Sequence, residues 1–151
     1  MSNKRFNRAE MTKKQQSLPV YKYKQSIKHS VINNRITLIV GETGSGKTTQ
    51  IPQYLLEWDQ VSPQQRVVCT QPRTVAAMNV AQRVAFEQGE RIGKKVGYHI
   101  RLDRKSSNDT VLEYMTEGVL LRKAMSCDNL AEYKVVIIDE AHERTVNADL
   151  L

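Results

Sequence analysis

The sequence predicts a single α/β domain in which helices cover both faces of a mostly parallel sheet. Short apolar, β-branched runs alternate along the chain with stretches whose apolar residues recur every three or four positions. Such alternation is typical of right-handed crossovers between parallel strands. The length of 151 residues, with 40% hydrophobic and 26% charged residues, fits one globular domain and excludes disordered and fibrous classes.

The first half of the chain contains three predicted elements. Residues 21–33 are predicted to form a short amphipathic helix, because apolar residues recur at four-residue spacing. Residues 36–40 are predicted to form a buried strand, because they form a run of β-branched and apolar residues that ends at Gly41. Residues 48–58 place apolar side chains on one helical face, and Pro52 is expected to bend or restart this helix.

The second half repeats the alternation. Residues 74–88 carry alanines and valines on one helical face, and Gly89 is a typical C-terminal cap. Residues 96–102 alternate apolar and polar side chains, which indicates a strand with one polar face. Shorter segments of the same kinds are predicted as strands over 66–70, 110–115 and 135–138 and as a helix over 117–125.

The positive charge is concentrated at the start of the chain. Residues 1–35 hold nine lysines and arginines against one glutamate, a net charge of +8, whereas the remainder has fourteen against fifteen acidic residues, a net charge of −1. Residues 1–17 also lack apolar periodicity, so we expect a flexible basic arm followed by a domain over 18–151. Three interpretations of the arm stay open: contact with a phosphate backbone, nuclear targeting, or a solvated tail.

Several classes of protein are excluded. No apolar run approaches the roughly 18 residues that span a bilayer, and the polar N-terminus has no signal-peptide core, so we expect no membrane contact. Cys69 and Cys127 have no paired metal spacing and cannot supply a disulfide framework. We expect reduced, inert thiols without a disulfide partner, in the cytosol or nucleus.

The segment from Gly41 to Thr48 (GETGSGKT) fits the phosphate-loop pattern and stands between a predicted strand and a predicted helix. Its glycines allow backbone N–H groups to turn toward phosphates at a helix N-terminus. Lys47 supplies a cation to the β- and γ-phosphates, and the Thr48 hydroxyl is suited to Mg²⁺.

A second acidic element follows the last predicted strand. Asp139 and Glu140 stand at its C-terminal end, where Asp139 would hold the Mg²⁺ shell and Glu140 would position or deprotonate the attacking water. The alternative is a purely structural role, in which the pair caps a helix N-terminus. Zinc hydrolysis is excluded, because a zinc-protease helix that includes His142 would need a second histidine where this chain has Val146.

Five segments together resemble DEAH-box RNA helicases, in the order in which that family carries its motifs I, Ia, hook-turn, Ib and II. The resemblance covers residues 18–151 and is strongest to members that act in pre-mRNA splicing and ribosome biogenesis. It implies a RecA-like P-loop NTPase lobe. The segments are 41–53 (GETGSGKTTQIPQ), 70–77 (TQPRTVAA), 96–101 (VGYHIR), 116–122 (TEGVLLR) and 139–145 (DEAHERT).

The resemblance implies ATP or another nucleoside triphosphate, with Mg²⁺, as cofactors. It also assigns roles, which include base stacking for Arg83 and coupling to a second lobe for His142. The nucleotide-binding residues would be Gly41, Glu42, Thr43, Gly44, Ser45, Gly46, Lys47, Thr48, Thr49 and Arg83, and the metal-binding residues Thr48, Asp139 and Glu140. The catalytic residues would be Lys47, Asp139, Glu140 and His142, and the RNA-binding residues Arg73, Arg101, Thr116 and Gly118.

Three positions depart from the family pattern: Thr74 stands for a usual Arg, Leu102 for a usual Phe, and Glu117 for Asp. The sequence stops just after motif II, so the resemblance implies a truncated first lobe without its second lobe. We therefore expect these residues alone to bind Mg-nucleotide weakly and to lack useful turnover. The alternative function is a non-catalytic paralogue that binds nucleotide or RNA.

The resemblance also implies partners and a location. Single-stranded RNA or a ribonucleoprotein would be the substrate, and a glycine-patch protein would be the activator. We expect a nuclear protein, in the nucleoplasm or nucleolus, with the cytoplasm as the alternative.

Overall fold

The computed structural model describes residues 7–126 and 130–151. They form a five-stranded sheet in the order β3-β2-β4-β1-β5, with helices packed against it. The strands are β1 (Arg66–Gln71), β2 (Val96–His99), β3 (Arg104–Lys105), β4 (Leu112–Thr116) and β5 (Tyr133–Ile138). The α-helices are α1 (Arg8–Gln16), α2 (Lys24–Asn33), α3 (Lys47–Leu55), α4 (Thr74–Glu87), α5 (Glu117–Met125) and α6 (Val146–Leu150). Short 3₁₀ turns occupy Pro19–Tyr23 and Ala141–Glu143.

The sheet confirms the predicted α/β class. Strands β1, β2, β4 and β5 run parallel, and only the short β3 pairs antiparallel, with β2. In a parallel sheet the carboxyl ends of all strands lie at one edge, so the loops after them meet there. The register places Gln71 beside Thr116 and Thr70 beside Ile138 at this edge.

The core lies on both faces of the sheet. On one face the small residues Ala77 and Ala81 of α4 are fully buried against β1, β2 and β4, because alanine lets a helix approach the strands closely. On the other face Leu120 of α5 packs with Met115 and Val68. This arrangement fixes the loops at the carboxyl edge from both sides.

The predicted strand over residues 36–40 is wrong. This segment is extended, with Ile36, Leu38 and Val40 each at least 85% exposed, whereas Ile39 turns inward to a cluster of apolar residues around α3. The predicted burial of this segment is therefore wrong as well, except at Ile39. The backbone N–H and C=O groups of this segment make no backbone hydrogen bonds within residues 7–126 and 130–151, so the segment is not a strand of the sheet.

The sequence did not predict α1, β3 and α6, and the other differences concern element ends. The predicted helix over 21–33 divides into a 3₁₀ turn and α2, and the helix predicted to reach residue 58 ends at Leu55. Pro52 lies inside α3. The strand predicted over 96–102 stops at His99, because the chain then turns and Ile100 N–H bonds the carbonyl of Asp103.

The basic arm contains helix α1. The Asn7 side chain caps its N-terminus by accepting from the N–H groups of Ala9 and Glu10. Residues 1–6 of the arm and Cys127 lie outside the described residues. The division of the chain at residue 17 stays a prediction.

Cys69 lies on β1 with no exposed surface and is a free thiol. Burial raises the pKa of this thiol well above its ordinary value, so it stays protonated. The burial of Cys69 is consistent with the predicted inert thiol. Across the described ranges, no helix has the length and apolar character that crossing a membrane requires.

Candidate nucleotide-binding site

The loop before α3 has the backbone shape that the phosphate-loop pattern predicts. Gly44 and Gly46 adopt left-handed conformations with φ of 79° and 97°, which favour glycine. A Cβ on Gly46 would also lie 3.0 Å from Leu18 Cδ1 and 3.1 Å from Val20 Cγ1. Glycine at position 46 is therefore required both by φ and by the close approach of the preceding turn.

Free N–H groups line this loop. Those of Gly44, Gly46, Lys47 and Thr48 have no acceptor within the part of the chain that the structure describes. A helix N-terminus leaves its first N–H groups unpaired and carries a positive partial charge, so it suits a phosphate. The N–H of Val20 donates to the Ser45 carbonyl at 3.1 Å and braces the loop from behind.

The Lys47 ammonium lies within the loop. Its Nζ donates to the carbonyl of Glu42 at 2.8 Å and also to that of Gly41. The cation is thus held beside the free N–H groups, where the sequence analysis predicts the phosphates. Nucleotide phosphates fit these residues, because one loop carries free N–H donors and a lysine cation to which it adds no carboxylate hydrogen bond.

The structure brings Thr48 and Asp139 together across 91 positions of sequence. Thr48 Oγ1 donates to Asp139 Oδ2 at 2.5 Å, and Gln71 Nε2 donates to the same oxygen at 2.6 Å. Hydroxyl and carboxylate oxygens are donors that Mg²⁺ prefers, and it usually keeps only one or two carboxylates with phosphates and waters. A magnesium ion fits this pair. The described ranges contain no cluster of three His, Cys, Asp or Glu side chains suited to a metal.

Glu140 points differently from Asp139 because the chain turns sharply after β5. Its φ is 52°, a left-handed conformation that costs a residue with a Cβ about 1–3 kcal/mol. Its N–H bonds Asp139 Oδ1 at 3.0 Å, and its Oε2 lies 3.3 Å from His142 Nε2. The turn therefore presents the two predicted carboxylates separately, with His142 next to Glu140.

The comparison with known families agrees with this geometry. Residues 31–151 match a family model described as an AAA domain. The chain belongs to this family. The matched region of the AAA domain contains all five strands, the phosphate loop and the Thr48–Asp139 pair. The chain is thus a P-loop NTPase domain with a mostly parallel α/β sheet.

A cavity of ≈ 590 Å³ lies beside the phosphate loop of the AAA domain. It is lined by residues of the 3₁₀ turn, of α2 and of the extended segment 37–40, and by residues 41–45 and Lys47 of the phosphate loop. Neither Asp139 nor Arg83 lines it. The cavity therefore adjoins the phosphate loop, and the Thr48–Asp139 pair lies outside its lining.

The predicted RNA-binding residues of the AAA domain follow the carboxyl ends of three parallel strands. Arg73 comes after β1 and Arg101 after β2, and both are exposed. Thr116 ends β4 and caps α5, in which Gly118 lies. Among the described residues, Arg73 forms one ion pair, a 3.9 Å contact with Glu143. The sheet thus brings all four residues to the edge that also carries Asp139.

Glu117, one of the departures from the family pattern, joins this edge to the turn after β5. The Thr145 hydroxyl donates to Glu117 Oε2 and accepts from the N–H of Ala148 at 3.1 Å, which caps α6. A Cβ on Gly118 would lie 3.5 Å from Asn147 Nδ2. The sequence analysis did not identify this contact between the segments 116–122 and 139–145.

Arg83 lies apart from the carboxyl edge, on α4, and is half exposed. Its Nε donates to Glu87 Oε1 at 3.0 Å, and the buried Glu87 carboxylate also accepts from Gln50, Gln53 and Gln15 at 2.9, 2.8 and 3.1 Å. Burial acts to raise the pKa of Glu87, but these hydrogen bonds outweigh it and hold the pKa below its ordinary value. Sequence reasoning missed this cluster, which ties Arg83 to α3 and to α1.

We expect Glu87→Gln to lower the free energy of unfolding at pH 7 by about 1–3 kcal/mol, because the donors lose a charged acceptor. The folded-state pKa of Glu87 lies below its unfolded value, so the unfolded state binds the proton more readily. This stabilisation is present above the unfolded pKa and is lost as pH falls through the folded one. Urea unfolding of both proteins should therefore give a difference that shrinks from pH 7 to about pH 3; a pH-independent difference would contradict the assignment.

Proposed function

We propose that this AAA domain is the nucleotide-binding lobe of a DEAH-box RNA helicase. It binds ATP or another nucleoside triphosphate with Mg²⁺ and couples hydrolysis to the remodelling of RNA or ribonucleoprotein. The observation that carries the nucleotide part is the contact of Thr48 with Asp139, because it joins the phosphate loop to the acidic turn. The RNA part rests on the five ordered segments and on their common edge of the sheet.

Each residue of the site has a chemical task under this proposal. The loop N–H groups and the Lys47 ammonium hold the β- and γ-phosphates, where they neutralise negative charge. Thr48 and Asp139 would hold Mg²⁺, which supplies Lewis-acid stabilisation of phosphate oxygens when bound. Glu140 orients the attacking water and accepts its proton. His142 Nε2 lies 3.3 Å from Glu140 Oε2 and couples the hydrolysis site to a second lobe.

Arg83 is the proposed contact of the base. A guanidinium stacks on any base, so it favours loose selection among nucleoside triphosphates. The ion pair with Glu87 supports this role, because it fixes one side of the guanidinium and leaves the side chain 53% exposed.

The proposed substrate is single-stranded RNA or a ribonucleoprotein, with a glycine-patch protein as activator. The concentration of positive charge at the start of the sequence supports attraction to a polyanion, since residues 1–35 carry a net charge of +8. The resemblance to splicing and ribosome-biogenesis helicases favours a nuclear protein, with the cytoplasm as the alternative.

We expect Arg73→Ala and Arg101→Ala each to weaken single-stranded RNA binding and to flatten the logarithmic salt slope by up to about 0.7, because each removes one phosphate contact. Fluorescence anisotropy of a labelled oligoribonucleotide from low to moderate salt measures both quantities. Arg91→Ala is the matched control, because Arg91 is an exposed arginine in the loop that precedes β2. Equal slopes in all three variants would contradict RNA binding at the carboxyl edge.

A further inference from the structure

The carbonyl of Thr48 lacks its ordinary helical partner. In an α-helix the carbonyl of one residue accepts from the N–H four residues later, which for Thr48 is position 52. Pro52 occupies that position and has no N–H to donate. The carbonyl would therefore be unpaired at the start of α3, within the residue whose hydroxyl contacts Asp139.

The hydroxyl of Tyr114 supplies the missing donor. Tyr114 lies on β4, 66 positions after Thr48 in the sequence, and its Oη donates to the Thr48 carbonyl at 2.9 Å. Tyr114 has no exposed surface. Its ring is enclosed between Cys69 on β1 and Tyr98 on β2 in the sheet register, which fixes the position of the donor.

We infer that Tyr114 is a positioning residue for the magnesium–nucleotide site, because its hydroxyl replaces the helical hydrogen bond that Pro52 removes. Thr48 is then held from two directions. Its side chain bonds Asp139 and its carbonyl accepts from Tyr114, so the first turn of α3 keeps one orientation relative to β5. This inference rests on the proposed nucleotide binding.

The test is a double-mutant cycle with Tyr114→Phe and Pro52→Ala. Tyr114→Phe removes only the hydroxyl, and we expect it to weaken Mg-ADP binding about three- to tenfold and to raise the Mg²⁺ concentration needed for half-maximal binding. Pro52→Ala restores a backbone N–H opposite the Thr48 carbonyl. In that background Tyr114→Phe should change Mg-ADP binding less than twofold, because the helix now supplies the donor.

Tyr98→Phe is the matched control. Tyr98 is the cross-strand neighbour of Tyr114, is equally buried, and donates its hydroxyl to Asp103 Oδ2 at 2.5 Å. Its loss also removes a buried tyrosine hydroxyl and its hydrogen bond, to a carboxylate, but away from α3. We expect Tyr98→Phe to lower the stability measured by urea unfolding but to leave the Mg-ADP affinity unchanged.

A second readout does not need nucleotide. Amide hydrogen exchange over residues 47–55 should accelerate in Tyr114→Phe, slow again when Pro52→Ala is added, and stay unchanged in Tyr98→Phe. The inference is overturned if Tyr114→Phe exchanges and binds like the parent protein, or if Pro52→Ala does not suppress its effect. A parent protein that binds no Mg-ADP but shows the exchange pattern would overturn the proposed function and keep Tyr114 as the residue that positions Thr48.

Discussion

Replacing Lys47 by alanine should lower the affinity for Mg-ATP by about 1.5–3 kcal/mol, because a charge-assisted hydrogen bond to a phosphate would be lost. The Lys47 ammonium already lies inside the loop, bonded to the carbonyls of Gly41 and Glu42. Alanine keeps the helix and the loop glycines but removes this charge. Titration with a fluorescent ATP analogue measures the loss.

The control for this experiment is Lys105→Ala. Lys105 is an exposed lysine on β3, at the far edge of the sheet from β5. Both substitutions remove one positive charge from the chain, so general electrostatic attraction changes equally. If the two variants bound Mg-ATP alike, the phosphate-loop assignment would be wrong.

Replacing Glu140 by glutamine should leave nucleotide affinity unchanged and lower ATP turnover by about 10²–10⁴-fold, because glutamine keeps the shape but cannot accept the proton of water. The Glu140 carboxylate lies against His142, so the substitution leaves the contact between Thr48 and Asp139 in place. The resemblance places further charge-stabilising arginines on a second lobe. Turnover is therefore measured in a protein that carries both lobes.

The matched control is Glu132→Gln, because Glu132 directly precedes β5 at the opposite end from Glu140 and pairs with Lys123. It should turn over ATP at the parent rate. A joint loss of binding and turnover in Glu140→Gln would contradict the separate roles of Asp139 and Glu140. Binding without any turnover in the parent two-lobe protein would favour the non-catalytic alternative.

The sequence predicts which segments form helices and strands better than it predicts which strands pair with one another. The apolar runs that become β1 and β5 were predicted because each one carries its own signal along the chain. Residues 36–40 carry the same signal, yet a strand also needs a neighbour for its backbone, and none pairs with them in the described residues. A local pattern therefore predicts an extended segment, not its place in a sheet.

In the site, too, contiguous motifs were predicted and contacts between residues distant in sequence were not. The phosphate loop and the acidic turn were predicted because each is contiguous and each follows an apolar run. Gln71 and Tyr114 were missed because their contacts with Asp139 and Thr48 join residues 68 and 66 positions apart. The cluster around Glu87 was missed because its donors Gln50 and Gln53 lie 37 and 34 positions away. One signal was available for Tyr114: a proline inside a predicted helix leaves a carbonyl four residues earlier that needs another donor.

The central claim is that the phosphate loop and Asp139 form one magnesium–nucleotide site. Its most direct test is the affinity of the parent chain for a fluorescent ATP analogue, measured with Mg²⁺ and with excess chelator at constant ionic strength. The geometry predicts saturable binding that Mg²⁺ strengthens at least about tenfold, because the ion would link Thr48 and Asp139 to the phosphates. Equal affinity with and without Mg²⁺, or no saturable binding at all, would contradict the claim.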